Sequence, residues 1–160
     1  MTALVIGYGN PLRSDDAIGW HVAERLATDP RVAGVEILRR HQLTPELALD
    51  VSSVDHVVLI DARAGPAAGV VSVERVDPTA AARSTWSHHL GPASLAALAV
   101  ELYGRSGDVH VVSIGVGSLD VGEQLSAEVA GAIDLAADAV VRVLAGAWAD
   151  WASVPEIVGA

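Results

Sequence analysis

The sequence predicts a three-layer α/β/α sandwich built on a five-stranded, mostly parallel, twisted sheet with one antiparallel edge strand. Two observations lead to this fold class. Short apolar runs alternate along the chain with segments in which apolar residues recur every three or four positions, a pattern typical of alternating strands and helices. The chain has 160 residues, which suits one domain with a single core. Alternating strands and helices imply parallel pairing through right-handed crossovers.

Five apolar runs are the candidate strands. The first stops at the glycine-rich loop that begins at Gly7, and the third ends at Asp61. The fourth is rich in residues that favour strands, and it is expected to be an edge or antiparallel strand. The predicted strands are residues 3–6, 35–38, 56–60, 69–76 and 109–114.

Four segments show the spacing of amphipathic helices. Residues that favour helix starts precede the second and third, at Thr44-Pro45 and at Gly91-Pro92, and Gly104 stands where a helix C-cap belongs. In the third helix, Leu95, Leu98 and Leu102 are expected to form the buried face. The predicted helices are residues 16–27, 45–51, 92–103 and 126–147. Residues 1–147 are therefore predicted to form a single α/β catalytic domain, and residues 148–160 a C-terminal tail.

The composition excludes several kinds of chemistry. The chain has no cysteine, which removes disulfides, thiolate metal ligands and cysteine nucleophiles. All 10 basic residues are arginine, and without lysine neither Schiff-base catalysis nor a Walker-type phosphate loop is possible. The formal net charge of −10 disfavours nucleic acid and anionic membranes as partners. No apolar run reaches the roughly 20 residues that span a bilayer and no signal peptide is recognisable, so a cytoplasmic protein is expected.

Polar residues follow the predicted strands at the edge where ligands bind in open α/β sheets. Asp15 and Asp16 come after the first strand. Because adjacent carboxylates point in different directions, we expect Asp15 to cap the helix and Asp16 to face the crevice. Asp61 directly follows four apolar residues, which makes it either a surface residue or part of a site. His88 and His89 precede a helix, and at most one of the pair is expected to act in the site.

Two carboxylates and one imidazole, with no thiolate, form a borderline-hard set of ligands. Such a set suits nickel, zinc or manganese with open coordination positions. A dinucleotide site fits less well, because the third glycine of G-x-G-x-x-G would fall on Leu12. A serine hydrolase is disfavoured because no G-x-S-x-G elbow is present.

A segment with a fixed spacing of glycine, asparagine and acidic residues closely resembles the opening motif of the hydrogenase maturation proteases. The motif is Gly7-x-Gly9-Asn10-Pro11-Leu12-x-x-Asp15-Asp16-x-x-Gly19. The resemblance covers roughly the first 145 residues and continues through His41-Gln42-Leu43-Thr44-Pro45-Glu46-Leu47, Leu59-Ile60-Asp61-Ala62 and Ser87-His88-His89-Leu90-Gly91. The chain departs from the family pattern at position 16, where some members have glutamate, and at residues 115–118, which replace a segment similar to Gly-Ile-Gln-Pro.

The resemblance implies both the site residues and the reaction. In this family three crevice residues bind metal, and these positions correspond to Asp16, Asp61 and His88, which are also the implied catalytic residues. His88 matches better than His89 because the family motif is His-x-Leu-Gly. The implied activity is removal of a short C-terminal peptide from the large-subunit precursor of a [NiFe] hydrogenase. Nickel is carried by that precursor, no organic cofactor is implied, and a monomer is expected.

Two other functions are compatible with these residues. A nickel-sensing or chaperone-like binding module would bind the precursor without shortening it, whereas another metal-dependent hydrolase would act on a different peptide or small molecule. The role of the metal is also open at this level. It can polarise the scissile carbonyl or activate a water, or it can serve only as a tether. A tether leaves a carboxylate to act as the base, and Asp16 is the candidate.

Overall fold

The computed structural model describes residues 2–79 and 90–146, together with the backbone of residues 157–158. A single sheet with the strand order β2-β1-β3-β5-β4-β6 lies between two layers of helices. Its strands are β1 (Ala3–Tyr8), β2 (Glu36–Arg40), β3 (His56–Arg63), β4 (Val70–Arg75), β5 (Asp108–Gly115) and β6 (Ile157–Val158).

The sheet is mostly parallel, as the sequence predicts. Strands β2, β1, β3 and β5 run in one direction, and β4 pairs antiparallel with β5. The antiparallel strand does not lie at the edge, however, because β6 pairs antiparallel with its outer side. The two residues of β6 belong to the segment predicted as a C-terminal tail.

The helices are α1 (Ile18–Ala27), α2 (Leu47–Ser52), α3 (Pro92–Tyr103), α4 (Ala127–Ala130) and α5 (Ile133–Leu144), with short 3-10 helices at Ser14–Ala17 and Pro30–Val32. Helices α1 and α5 pack on one face of the sheet, and α2 and α3 pack on the other. Both cores are aliphatic, and their strand residues are almost fully buried. No helix among the described residues is both long and apolar enough to cross a bilayer.

Three predicted helices differ from the structure in detail. The first begins as a 3-10 turn before α1, so Asp16 lies outside the α-helix proper. The last is interrupted at Gly131, a poor helix former, and this turn lets Val129 and Ala132 both be fully buried. Leu102 is 57% exposed and does not belong to the buried face of α3, because the last turn of the helix extends beyond the core.

Strand β3 is longer than predicted, which changes the setting of Asp61. The predicted strand stops at residue 60, but β3 continues to Arg63 because it pairs with β5 as far as Gly115. Asp61 is therefore a strand residue opposite Ser113 rather than a loop residue. Its position is fixed by the hydrogen-bonded ladder of the sheet.

Candidate active site

Close backbone contact at the end of β1 explains the glycines of the opening motif. A Cβ atom at Gly7 would overlap the carbonyl oxygen of Gly19, and one at Gly9 would overlap the carbonyl oxygen of Asp16. Gly9 also has φ +146°, a conformation that residues with side chains rarely adopt. The two glycines thus let the 3-10 turn and the start of α1 lie directly against the strand end, and this contact brings Asp16 to the carboxyl edge of the sheet.

Asp15 is fully buried and does not cap the helix that follows it, so the expected capping role is wrong. Its Oδ2 accepts hydrogen bonds from the backbone N–H of Gly117 at 2.8 Å and of Ser118 at 2.7 Å. Ser126 donates its backbone N–H to Oδ1 at 2.6 Å and its hydroxyl to Oδ2 at 2.8 Å. Burial acts to raise the pKa of Asp15, but these hydrogen bonds outweigh it and lower the pKa below its usual value.

Asp16 faces the crevice, in agreement with the expectation for the second acidic residue. Its side chain is half-buried, and its Oδ2 accepts a hydrogen bond from the backbone N–H of Asn10 at 2.7 Å. Among the described residues, no hydrogen bond reaches its Oδ1. One carboxylate oxygen is thus used to hold the loop, and the other is available to a ligand.

Asp61 lines the same crevice as Asp16 and is likewise partly buried. Burial is the largest cause that raises the pKa of Asp61, to about 6, and the charge of Asp16 adds to it. The hydroxyl of Tyr8 and the backbone N–H of Ala62 act in the opposite direction by hydrogen bonding to the carboxylate. Asp61 forms no ion pair with Arg63, and both residues are described. The carboxylate thus titrates close to neutral pH and is not neutralised by the nearest arginine of its strand.

Tyr8 is the neutral partner of Asp61. Burial, followed by the charge of Asp61 and the hydrogen bond to it, raises the pKa of Tyr8 far above its usual value. The phenol therefore stays protonated and acts only as a hydrogen-bond donor to the carboxylate.

The crevice between the two carboxylates has a volume of about 610 Å³. One wall is the opening motif, and the facing wall is the segment after β2, where His41, Gln42, Thr44 and Pro45 line the space. The ring of His41 packs edge-on against Trp20, with 5.2 Å between ring centroids. The family resemblance extends over this segment but implies no role for it. In the structure the segment forms part of the site.

His88 and His89 lie outside the described residues, so the structure brings together only two of the three predicted ligands. Within the described part of the chain, no group of three His, Asp or Glu side chains is arranged to hold a metal ion. The two carboxylates fit a cation chemically, because a positive charge would relieve the repulsion that helps raise the pKa of Asp61. Leu90, two residues after His88, lines the crevice.

Sequence reasoning missed the functions of Asp15 and Tyr8. Tyr8 occupies a variable position in the motif, and only the pairing of β1 with β3 brings it near Asp61. For Asp15 a weak signal did exist, since Gly117, Ser118 and Ser126 have the small side chains that allow close approach to a buried carboxylate.

No family model matches the sequence, and no curated protein matches it. Solved structures match over nearly the whole chain. The hydrogenase maturating endopeptidase HybD from Escherichia coli is 25% identical, with a TM-score of 0.69 over 98% of this chain and 97% of its own.

Two further structures give the same result. A hydrogenase 2 maturation peptidase from a Thaumarchaeota archaeon is 26% identical, with a TM-score of 0.66 over 92% of this chain and 99% of its own. The chain is similar in fold and in sequence to hydrogenase maturation proteases. An endopeptidase from Escherichia coli, determined in solution, is 25% identical and has a TM-score of 0.70 over 99% of this chain and 98% of its own.

The segment of this chain that resembles the opening motif of the hydrogenase maturation proteases thus has a physical explanation. The glycines permit backbone contact, Asp15 fixes the loop from inside the protein, and Asp16 is left facing the crevice. The two adjacent acidic residues have different tasks, which explains why they occur together.

Proposed function

We propose that this protein is a hydrogenase maturation protease, an endopeptidase that removes a short C-terminal peptide from the nickel-loaded large-subunit precursor of a [NiFe] hydrogenase. The observation that carries the proposal is the pair of carboxylates, Asp16 and Asp61, facing one crevice. The fold that positions them is shared with proteins named as hydrogenase maturation peptidases. Both the hydrogenase substrate and the peptidase chemistry are taken over from those names.

The shape of the site supports cleavage within an extended peptide. Asp61 lines the crevice and also a second cavity of about 420 Å³, which Arg63, Ser113 and Pro92 help to form. A peptide that passes Asp61 would therefore have space on both sides of the bond to be cleaved. An endopeptidase needs this arrangement because residues must be held on each side of the scissile bond.

The proposed nickel site consists of Asp16, Asp61 and His88, and the nickel arrives with the substrate. The inclusion of His88 is supported by Leu90, which reaches the crevice two residues later. Nickel held there either polarises the scissile carbonyl or positions the peptide as a tether. In the tether role a carboxylate serves as the general base. Asp16 is the candidate, because its Oδ2 accepts the N–H of Asn10 while its Oδ1 accepts no hydrogen bond from a described residue.

We also propose that the protein acts as a monomer in the cytoplasm. Both carboxylates and both walls of the crevice come from one chain, so no second copy is needed to complete this part of the site. Sedimentation of the purified protein would test the monomer, and fractionation of the source cells would test the location.

The proposed activity is tested by incubating the protein with a purified, nickel-loaded precursor. The mass of the large subunit shows whether the precursor has been shortened. The wild-type protein is expected to shorten the precursor, and Asp61→Asn is expected to leave it unprocessed. Asp50→Asn is the matched control and should retain full activity, since Asp50 lies on α2 and does not line the crevice. Binding of the precursor without any shortening by the wild-type protein would overturn the proposal and favour a binding module.

A further inference from the structure

Three exposed apolar side chains lie on two loop segments that hydrogen bonds hold together beside the crevice. Leu12 is 56% exposed, Leu119 is 39% exposed and Val121 is 90% exposed. We call these three residues the apolar ridge. Large apolar side chains with this exposure are costly in water when they form a continuous surface, and such surfaces mark interaction sites.

The backbone brings the members of the ridge together although they are far apart in sequence. Arg13 and Gly122 form a parallel β-bridge, so the residues that precede them, Leu12 and Val121, are neighbours. The N–H of Gly122 donates to the carbonyl oxygen of Leu12 at 2.9 Å. The side chain of Arg13 donates to the carbonyl oxygen of Leu119 at 3.3 Å, which ties the third member to the same loop.

The ridge is held in a fixed geometry from inside the protein. Ser14 donates its hydroxyl to the carbonyl oxygen of Asp120 at 2.7 Å and its N–H to that of Gly122 at 2.8 Å. Asp15 binds Ser118 on the same loop through hydrogen bonds in both directions. A surface whose backbone is already ordered loses little conformational freedom when a partner binds.

The ridge adjoins the crevice and carries acidic residues at its border. Arg13 lines the crevice, and Leu12 lines a neighbouring cavity of about 240 Å³ together with Glu24 and Glu123. Asp120 and Glu123 are exposed, and neither forms an ion pair with another described residue. The carboxylates of Glu24, Asp120 and Glu123 outnumber the one guanidinium of Arg13, so the rim combines an apolar centre with net negative charge.

We propose that the apolar ridge docks the folded body of the large-subunit precursor, at an apolar patch flanked by basic side chains. This inference rests on the proposed function. A precursor whose C-terminal tail lies in the crevice must place the surface beside that tail against the rim. The apolar centre supplies affinity there, and the acidic border selects a basic partner surface.

The test measures binding of the nickel-loaded precursor to the Asp61→Asn protein, which cannot consume it, with and without a second substitution. Val121→Asp is expected to weaken binding about tenfold or more, as for a central interface residue. Leu102→Asp is the matched control. Leu102 is also exposed, at 57%, but it lies in the last turn of α3. The opposite end of that helix, at Pro92, lines the cavity beside Asp61, so Leu102 lies far from the site. Its substitution is expected to leave the affinity unchanged.

Glu123→Arg should also weaken binding, and its effect should shrink at high salt.

Equal affinity of the Val121→Asp and Leu102→Asp proteins would overturn the docking role. An unchanged affinity of Glu123→Arg at low salt would overturn the basic character of the partner surface. Trimming separates this inference from the proposed function. In the Asp61 wild-type background, Val121→Asp should slow trimming at low protease concentration and regain the full rate at saturation. If the wild-type protein bound the precursor through the ridge but never shortened it, the proposed protease activity would be refuted and the docking role would be retained.

Discussion

The carboxylate of Asp15 accepts two hydrogen bonds from Ser126, one from its backbone N–H at 2.6 Å and one from its hydroxyl at 2.8 Å. This contact joins the turn that carries Asp16 to the start of α4, on the far side of β5 in the sequence. A buried side chain that takes no part in the crevice therefore determines where the crevice carboxylate stands. Asp15 is a positioning residue and Asp16 is the residue that it positions.

Substitution of Asp15 by Asn is expected to lower the free energy of unfolding at pH 7 by about 2–4 kcal/mol, because charged hydrogen bonds are lost and buried donors are left unpaired. The pKa of Asp15 is lowered in the folded state, so its stabilising effect is present above the unfolded pKa of about 3.9 and is lost as pH falls through the folded value. Urea unfolding at pH 7 and pH 3 measures both effects. Asp50→Asn serves as the control, and an equal, small change in both variants would show that Asp15 does not hold the loop.

Asp61 is expected to destabilise the fold at neutral pH in return for its function. Its pKa is raised to about 6, so the folded protein holds this proton more tightly than the unfolded chain. The stabilisation that comes from this tighter proton binding is fully present below the unfolded pKa of about 3.9. It is lost as pH rises through 6. Asp61→Asn should therefore raise the free energy of unfolding by about 1–3 kcal/mol at pH 7.5 and change it little at pH 3.5. A stabilisation of the same size at both pH values would contradict the assignment.

The isolated protein is expected to bind Ni²⁺ or Zn²⁺ weakly, since three ligands leave the coordination sphere incomplete. Binding should weaken further below pH 6, because the cation must displace the proton of Asp61. Isothermal titration of the wild-type, His88→Ala and His89→Ala proteins provides the measurement. Loss of binding in His88→Ala alone is the expected result, whereas loss only in His89→Ala would transfer the ligand role to the neighbouring residue.

Cleavage is expected to require nickel already bound in the precursor. Asp16 raises the pKa of Asp61 through its charge, so a cation presented by the substrate relieves a repulsion within the site. A metal-free precursor offers a flexible tail, which must be ordered at a cost of roughly 1–2 kcal/mol per residue. Precursor made with and without nickel should be trimmed at very different rates, as followed by mass. Equal trimming would favour a general metal-dependent peptidase.

Much of the fold could be predicted because its signals are local. The apolar runs and helical spacings of the chain fix five strands and the layers that cover them. The structure departs from the prediction where tertiary contacts decide. Strand β6 has two residues and no periodicity of its own, and β3 extends past Asp61 only because β5 continues beside it.

In the candidate site, too, the features with local sequence signals could be predicted and those set by tertiary contacts could not. Position after a strand and the spacing of the motif indicated Asp16 and Asp61, and both line the crevice. The role of Asp15 could not be predicted, because its hydrogen-bond donors lie 102 to 111 residues away. The pKa of Asp61 depends on burial by surrounding side chains, and no pattern in its own strand reports that burial.

The hydrogen bonds between Asp15 and residues far along the chain also have a consequence for folding during synthesis. Both crevice carboxylates are synthesised within the first 61 residues, but the last donor to Asp15 is residue 126. A chain still growing on the ribosome can form β1 and β3, yet it cannot fix Asp16 until β5 and the start of α4 have emerged. Cleavage competence is thereby tied to synthesis of the chain beyond Ser126, and a product that contains both aspartates but ends before that residue is expected to be inactive.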